Sequence, residues 1–179
     1  MTVITHIGPR VWIGCLACYN AGRLVGKWCD GDTADDVTPE DIHGRSTAHE
    51  ELWVMDHDGF IGALEGECSP CEAAEIARAL SGLTGDESGA FGAWLKLYAQ
   101  RDERAEWVEK FREDYRGFYD SEADFAREWF VETSPEEEVA RLKRWPFYDI
   151  DWERASLELF TDGFHAEDVP GGIHVFWPN

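Results

Sequence analysis

The sequence predicts an α+β protein with a small antiparallel sheet first, helices in the middle and a mixed helix–strand segment at the end. Runs of β-branched and aromatic residues dominate before residue 67, whereas apolar residues recur at helical spacing from residue 68 onward. Strands and helices are therefore grouped rather than alternating, which argues against a parallel α/β sheet. We expect a β-rich part over 1–67, a helical part over 68–116 and an α+β part over 117–179.

Three short runs in the first part predict strands because they are rich in β-branched and aromatic residues. They are Arg10–Leu16, Leu24–Cys29 and Glu51–Met55. Tyr19–Gly22 predicts a turn after the first strand, since Asn and Gly tolerate a left-handed backbone. Asp58 and Gly59 predict another turn after the third strand.

Polar and capping residues divide the rest of the chain. Asp30–Glu40 and Gly82–Gly89 predict loops, and Thr38 before Pro39 predicts the start of a short helix. Three serines are expected to cap helices: Ser69, Ser121 and Ser134. Pro146 is expected to end the last of these helices.

Apolar spacing predicts what these helices bury. Further helices are expected over Phe91–Tyr98, Trp107–Phe118 and Asp151–Phe160, followed by a last strand over Gly172–Trp177. In the helix that Ser121 caps, Phe125 and Trp129 form the predicted buried stripe.

The chain is strongly acidic, with 37 Asp and Glu against 16 Lys and Arg and a net charge of -21. It also contains 9 Trp, 10 Phe and 5 Tyr, so it resembles a folded domain rather than a disordered acidic segment. Such a surface repels nucleic acid and anionic membranes and attracts basic proteins, chiefly those that bind nucleic acids. The sequence contains neither a membrane-length apolar run nor a secretory signal pattern, so we expect a cytoplasmic protein.

The densest run of carboxylates, 14 in number, lies between Asp102 and Glu138. Asp102, Glu106, Glu109 and Glu113 advance by three or four residues, which places them on one face of a predicted helix. A single charged helix face usually does no more than contact solvent. Here the acidic excess extends along the whole chain, and 21 charges match about 36 Å of duplex DNA.

We therefore predict a partner-binding acidic surface in this region. Its members are Asp102, Glu103, Glu106, Glu109, Glu113, Asp114, Asp120, Glu122, Asp124, Glu128 and Glu132.

Two C-x-x-C pairs, Cys15/Cys18 and Cys68/Cys71, could together form a zinc site, but 49 residues separate them. We expect small buried thiols instead. The segment Asp30–Asp36 is not a calcium loop, because Ala34 and Asp35 occupy the fifth and sixth positions, where such a loop has Asp or Asn and then glycine. No nucleotide-binding or hydrolase motif is present, and the six histidines are scattered. We expect neither a metal, nor a cofactor, nor enzymatic activity.

The opening segment, Arg10-Val-Trp-Ile-Gly-Cys-Leu-Ala-Cys-Tyr-Asn-Ala-Gly-Arg-Leu-Val-Gly-Lys-Trp-Cys-Asp30, resembles that of the ArdA antirestriction proteins. Four further segments are also similar to segments of that family. They are the run into Asp56-His-Asp-Gly-Phe60, the segment Phe111–Phe125, the helix start Tyr148–Trp152 and the closing strand Gly172–Phe176. From this resemblance we expect the opening motif to have a structural role, in which it holds the first sheet. Its residues are Tyr19, Asn20, Gly22, Gly26 and Trp28.

The resemblance implies an elongated DNA mimic of three small subdomains that forms a homodimer. It also implies a partner, the methyltransferase core of type I restriction–modification enzymes, and neither catalysis nor a cofactor. Cys15, Cys18 and Cys29 are unusual beside the motif, and the basic cluster Arg141–Arg144 interrupts the acidic surface. Two alternatives stay open: an acidic module for another basic DNA-binding protein, and a metal-dependent enzyme using the cysteine pairs.

Overall fold

The computed structural model describes residues 8–98, 101–142, 144 and 150–177, and the side chains of 101–103 lie outside this description. The strands are β1 (Arg10–Cys15), β2 (Gly26–Asp30), β3 (Leu52–Asp58), β4 (Tyr115–Tyr119), β5 (His165–Val169) and β6 (Gly172–Phe176). The helices are α1 (Leu16–Asn20), α2 (Pro39–His43), α3 (Pro70–Ser81), α4 (Gly85–Leu97), α5 (Trp107–Asp114), α6 (Glu122–Thr133), α7 (Glu136–Arg141) and α8 (Trp152–Thr161).

In the described part of the chain, two three-stranded antiparallel sheets combine with these helices, which confirms the predicted α+β class. The chain divides into two compact units, Met1–Val108 and Glu109–Asn179, and each contains one sheet. The division into three parts and the elongated shape stay predictions. Within the described residues, no helix has both the length and the apolar character needed to cross a membrane.

The first sheet has the strand order β2-β1-β3, so β1 is central. Val11, Ile13 and Cys15 of β1 are buried at alternate positions, as expected for a strand that covers a core. Trp12 lies opposite Trp28 of β2 in the register. The three predicted strands are therefore confirmed, although β2 begins at Gly26 and β3 continues to Asp58. The prediction is wrong at Leu16 and at the first half of the turn Tyr19–Gly22, because the chain leaves β1 directly into α1.

Two predicted loops in the first unit contain helical structure. A 3-10 helix spans Gly31–Asp36 and packs against α3, where a Cβ on Gly31 would lie 3.1 Å from that of Ala77. The predicted loop Gly82–Gly89 is wrong after Thr84, because α4 begins at Gly85. Thr84 and Glu87 form a reciprocal capping box there, and this local signal outweighs the low helix propensity of glycine.

The predicted long helix Trp107–Phe118 is wrong in its second half. A 3-10 helix covers Arg101–Glu106, α5 ends at Asp114 and the chain continues as β4. Gly117 has a φ of 132°, which no helix accommodates, and β4 pairs with β6. Pairing with a strand about sixty residues away therefore decides that this segment is a strand and not a helix.

The second sheet has the order β4-β6-β5. The sequence did not predict β5, which joins β6 through the two-residue turn Pro170-Gly171. The core beneath this sheet contains Phe125, Phe164, Ile173 and Val175, with Trp129 packed against it. The predicted stripe of α6 is thus confirmed.

Capping residues at the other helices mostly match the expectation. Thr38, Ser69 and Ser121 accept hydrogen bonds from backbone N–H groups three residues ahead, at α2, α3 and α6. Ser134 ends α6 instead of capping α7, whose N-cap is Pro135. The predictions at Pro146 and Tyr148 lie outside the described residues.

Candidate functional site

Negative charge is distributed almost equally over the two units. Residues 1–108 carry 19 Asp and Glu against 8 Lys and Arg, and residues 109–179 carry 18 against 8. The net charges of -11 and -10 show that the acidity belongs to both folded units and not to one tail. Each unit therefore carries about half of the net negative charge.

Most carboxylates of the predicted surface whose side chains are described lie in solvent. The exposed members are Glu106, Glu109, Glu113, Asp120, Glu128 and Glu132. Glu122 and Asp124 are half-buried, and Asp114 is only 9% exposed, so its carboxyl group contributes little surface. The side chains of Asp102 and Glu103 lie outside the described residues.

Two helices, α5 and α6, position four of these six exposed carboxylates. Glu109 and Glu113 lie one turn apart on α5, and Glu106 ends the 3-10 helix that directly precedes α5. Glu128 and Glu132 lie one turn apart on α6. Since Phe125 anchors α6 in the core, these two carboxylates are held on a firmly packed helix.

The negative charge of these carboxylates affects the neighbouring phenol of Tyr119. Burial raises the pKa of Tyr119, and the negative charges of Glu132 and Glu128 raise the pKa further. Both carboxylates therefore act in the same direction on one group, as expected for like charges gathered on one side of α6.

Asp124 has a different role from its neighbours. Its backbone N–H donates to the Ser121 hydroxyl, and that hydroxyl donates to the Asp124 carboxylate at 2.7 Å. Arg127 lies 3.8 Å from the same side chain. Asp124 is therefore occupied with the start of α6, although it belongs to the predicted surface.

Part of the positive charge is held in contacts within the protein. Arg78 pairs with Asp35 and Lys96 with Glu65, each at 2.5 Å, and Arg104 pairs with Glu75. Two further guanidinium groups lie over indole rings, Arg10 over Trp28 at 5.7 Å and Arg116 over Trp177 at 5.7 Å. These four arginines and this lysine are thus engaged in contacts within the protein.

The opening motif divides into structural and exposed positions. Gly22 has a φ of 70° in the turn after α1, and a Cβ on Gly26 would lie 2.5 Å from the Trp12 ring. Tyr19 is 53% exposed and Trp28 41% exposed. The glycines are therefore required by the backbone, whereas the two aromatic side chains lie at the surface.

Tyr19 and Trp28 line an open groove of about 400 Å³. Its other lining residues are Trp12, Leu24, Met55, Asp56 and Glu67. The lining of the groove therefore combines aromatic and aliphatic side chains with two carboxylates.

One cluster could hold a metal ion. Cys15 and Cys18 meet His43 and His49, with one ligand atom from each within 4.8 Å of all the others. From the sequence, a zinc site is considered only for these cysteines together with Cys68 and Cys71, buried thiols without a metal are expected, and the histidines are treated as scattered. The available signal was the spacing Cys-x2-Cys followed by His-x5-His, in which 24 residues separate the two halves.

Comparison with protein-family models identifies a match to the antirestriction protein ArdA over residues 11–169. No curated protein matches the chain at a significant level. The matched range includes every strand described above except β6 and the first residue of β1, together with every helix described above.

Proposed function

This chain belongs to the ArdA family of antirestriction proteins, and from that membership we propose that it acts as a DNA mimic. In this proposal its acidic surface occupies the DNA-binding groove of the methyltransferase core of a type I restriction–modification enzyme. Incoming DNA is then protected because the enzyme cannot bind it. The protein works by binding in the cytoplasm, without bond chemistry and without a cofactor.

The observation that carries the proposal is the even distribution of net charge over two folded units. Duplex DNA has one negative charge per roughly 1.7 Å, so each unit matches about 18 Å of duplex. A local patch would support contact with one basic loop. Charge spread over both units instead suits a long basic groove.

The positions of the carboxylates also support mimicry. Phosphates of DNA are fixed on a stiff backbone, and a mimic needs its charges fixed in a comparable way. Glu128 and Glu132 stand on α6, which is anchored by Phe125 and capped by Ser121. Lys and Arg side chains of the target would meet such carboxylates in charge-assisted hydrogen bonds.

A displacement assay tests the proposal. A labelled duplex is bound to the methyltransferase core of a type I enzyme, and its release is followed by fluorescence anisotropy as this protein is added. We expect release at low salt and a steep loss of potency as salt increases, because screening weakens contacts between exposed charges. If the duplex stays bound at low salt, the mimic proposal fails.

An unrelated basic DNA-binding protein serves as the control. If this protein displaces DNA equally well from the control and from the type I enzyme, it is a general acidic module rather than a specific inhibitor. Displacement confined to the type I enzyme supports the proposed target.

We also propose that the protein forms a homodimer, because two copies would double the matched length of duplex. Sedimentation equilibrium should then give twice the 20.4 kDa of one chain. A monomer at the concentrations that inhibit the enzyme would contradict this part of the proposal.

A further inference from the structure

Four side chains with metal-binding atoms converge at one corner of the first sheet. Cys15 ends β1, Cys18 lies in α1 and His43 ends α2, while His49 lies in the connection before β3. The Cys15 sulfur lies 3.1 Å from Nδ1 of His49, and the Cys18 sulfur lies 3.5 Å from the same atom. All four ligand atoms lie within 4.8 Å of one another.

These distances suit a tetrahedral zinc ion. Zinc–sulfur bonds of about 2.3 Å and zinc–nitrogen bonds of about 2.0–2.1 Å place ligand atoms about 3.3–3.8 Å apart around a tetrahedron. The sulfur–nitrogen distances of 3.1 Å and 3.5 Å lie close to this range, and side-chain rotations would bring the remaining ligand atoms, which lie within 4.8 Å of one another, into it. Two thiolates with two imidazoles form a ligand set typical of structural zinc.

A second observation points independently to a ligand. Nε2 of His43 is buried, and no described protein group makes a hydrogen bond with it. Buried polar atoms in folded proteins normally have a partner. The His43 ring packs edge-on against that of His49, with ring centroids 5.1 Å apart, so the orphaned imidazole belongs to the same cluster.

One positively charged side chain also lies beside the cluster. A guanidinium nitrogen of Arg23 lies 3.9 Å from the Cys18 sulfur and donates toward it. Both sulfurs are buried, Cys15 at 1% and Cys18 at 2% exposure, which protects them from solvent. A zinc ion with two thiolates is neutral overall, so it can be buried at low electrostatic cost.

We propose that Cys15, Cys18, His43 and His49 bind one zinc ion with a structural role. The ion would join the β1–α1 corner to the end of α2 and to His49, and would thereby hold the irregular connection 44–51 in place. Four protein ligands leave no open position for substrate, so the site is closed and non-catalytic. This site is independent of the acidic surface and of the proposed target.

Cobalt substitution tests the proposal on the full-length protein. The reduced protein is stripped with a chelator, titrated with Co²⁺ and followed by visible absorption. We expect one equivalent of Co²⁺ to produce the intense bands of a tetrahedral site with thiolate ligands, and one equivalent of Zn²⁺ to remove them. Metal analysis of protein purified without chelator should give one zinc per chain.

Matched variants locate the site. Cys15→Ser and His49→Gln should each abolish the one-to-one cobalt spectrum, whereas Cys71→Ser and His165→Gln should retain it. Circular dichroism of each variant separates loss of ligand from loss of fold. Should Cys15→Ser or His49→Gln unfold the chain, the wild-type titration decides alone.

Two outcomes would overturn the proposal. One is a reduced, folded wild-type protein that gives no thiolate–cobalt bands. The other is a spectrum that persists in the folded Cys15→Ser variant or disappears in Cys71→Ser. A Cys15–Cys18 disulfide in protein purified under reducing conditions would overturn the proposal in the same way as the first outcome.

Discussion

Cys68 and Cys71 are three residues apart, yet they occupy opposite environments. Cys68 is 5% exposed, and its backbone pairs with Val54. Burial, followed by the charge of Glu72, raises the pKa of its thiol to about 11. Cys71 lies in the first turn of α3 and is exposed. The two thiols therefore differ in exposure, although they are close in the sequence, because only Cys68 faces the core.

This difference predicts selective alkylation. With iodoacetamide at pH 8 in the folded protein, Cys71 should react while Cys68 remains unmodified, because only a thiolate attacks and Cys68 stays protonated and shielded. Peptide mass spectrometry measures both sites, and the same reaction in 8 M urea should modify both. Equal modification of Cys68 and Cys71 in the folded state would contradict the structure.

His174 on β6 predicts a pH-dependent stability. It is 8% exposed and hydrogen-bonded to the Tyr115 hydroxyl at 3.1 Å, and Glu167 lies opposite it in the register. Burial lowers its pKa below the ordinary value of 6.5. Below pH 6.5 the unfolded chain therefore binds a proton that the native histidine resists, so stability is complete above pH 6.5 and decreases as pH falls.

Urea unfolding at pH 7.5 and pH 5.5 tests this effect. The free energy of unfolding of the wild type should decrease more between the two pH values than that of His174→Gln, which cannot be protonated. Other titrating groups are common to both proteins and cancel in the comparison. An equal decrease in both proteins would show that His174 is not responsible.

At the scale of elements, the start of α6 determines how Glu128 and Glu132 are presented. Ser121 accepts from the Asp124 N–H at 3.1 Å, whereas Ser134 belongs to the end of the same helix. Local capping of this kind could be recognised in the sequence, since it needs only a serine and an acidic residue three positions later.

Ser121→Ala should lower the free energy of unfolding by about 1 kcal/mol, the usual cost of losing an N-cap side chain. Ser134→Ala is the matched control, and it should change stability less because Ser134 caps no helix N-terminus. Urea denaturation of the three proteins under identical conditions measures both values. A larger effect at Ser134 would contradict the assigned boundaries of α6 and α7.

At the scale of the whole molecule, the distributed charge predicts that no single carboxylate is essential. Exposed ion pairs contribute roughly 0.2–1 kcal/mol each, which corresponds to about 1.4- to 5-fold in affinity. One Glu→Gln change on α5 or α6 should therefore weaken DNA displacement only within this range. Loss of most activity on one such change would indicate a discrete hot spot.

Combined variants sharpen this test. Replacing Glu109, Glu113, Glu128 and Glu132 by glutamine should weaken displacement by more than any single change and should flatten its salt dependence. The control removes charge of the opposite sign: Arg141→Gln with Arg144→Gln should preserve or strengthen displacement. Weakening by both sets would show that the substitutions act through the fold rather than through charge.

The sequence by itself determined the family, the α+β class and the three strands of the first sheet. It also determined the capped starts of α3 and α6. Each of these features depends on signals carried by a few neighbouring residues. The net charge can also be counted from the sequence without knowledge of the fold. For this reason the prediction of a strongly acidic surface did not depend on the errors in individual helices.

Only the tertiary structure decided which distant residues meet. Tyr115–Tyr119 became β4 because it pairs with β6, although its aromatic spacing suited a helix. His43 and His49 joined Cys15 and Cys18 because the sheet and α2 bring them together. Contacts over 25 to 60 residues depend on how elements pack, and spacing along the chain does not encode that packing.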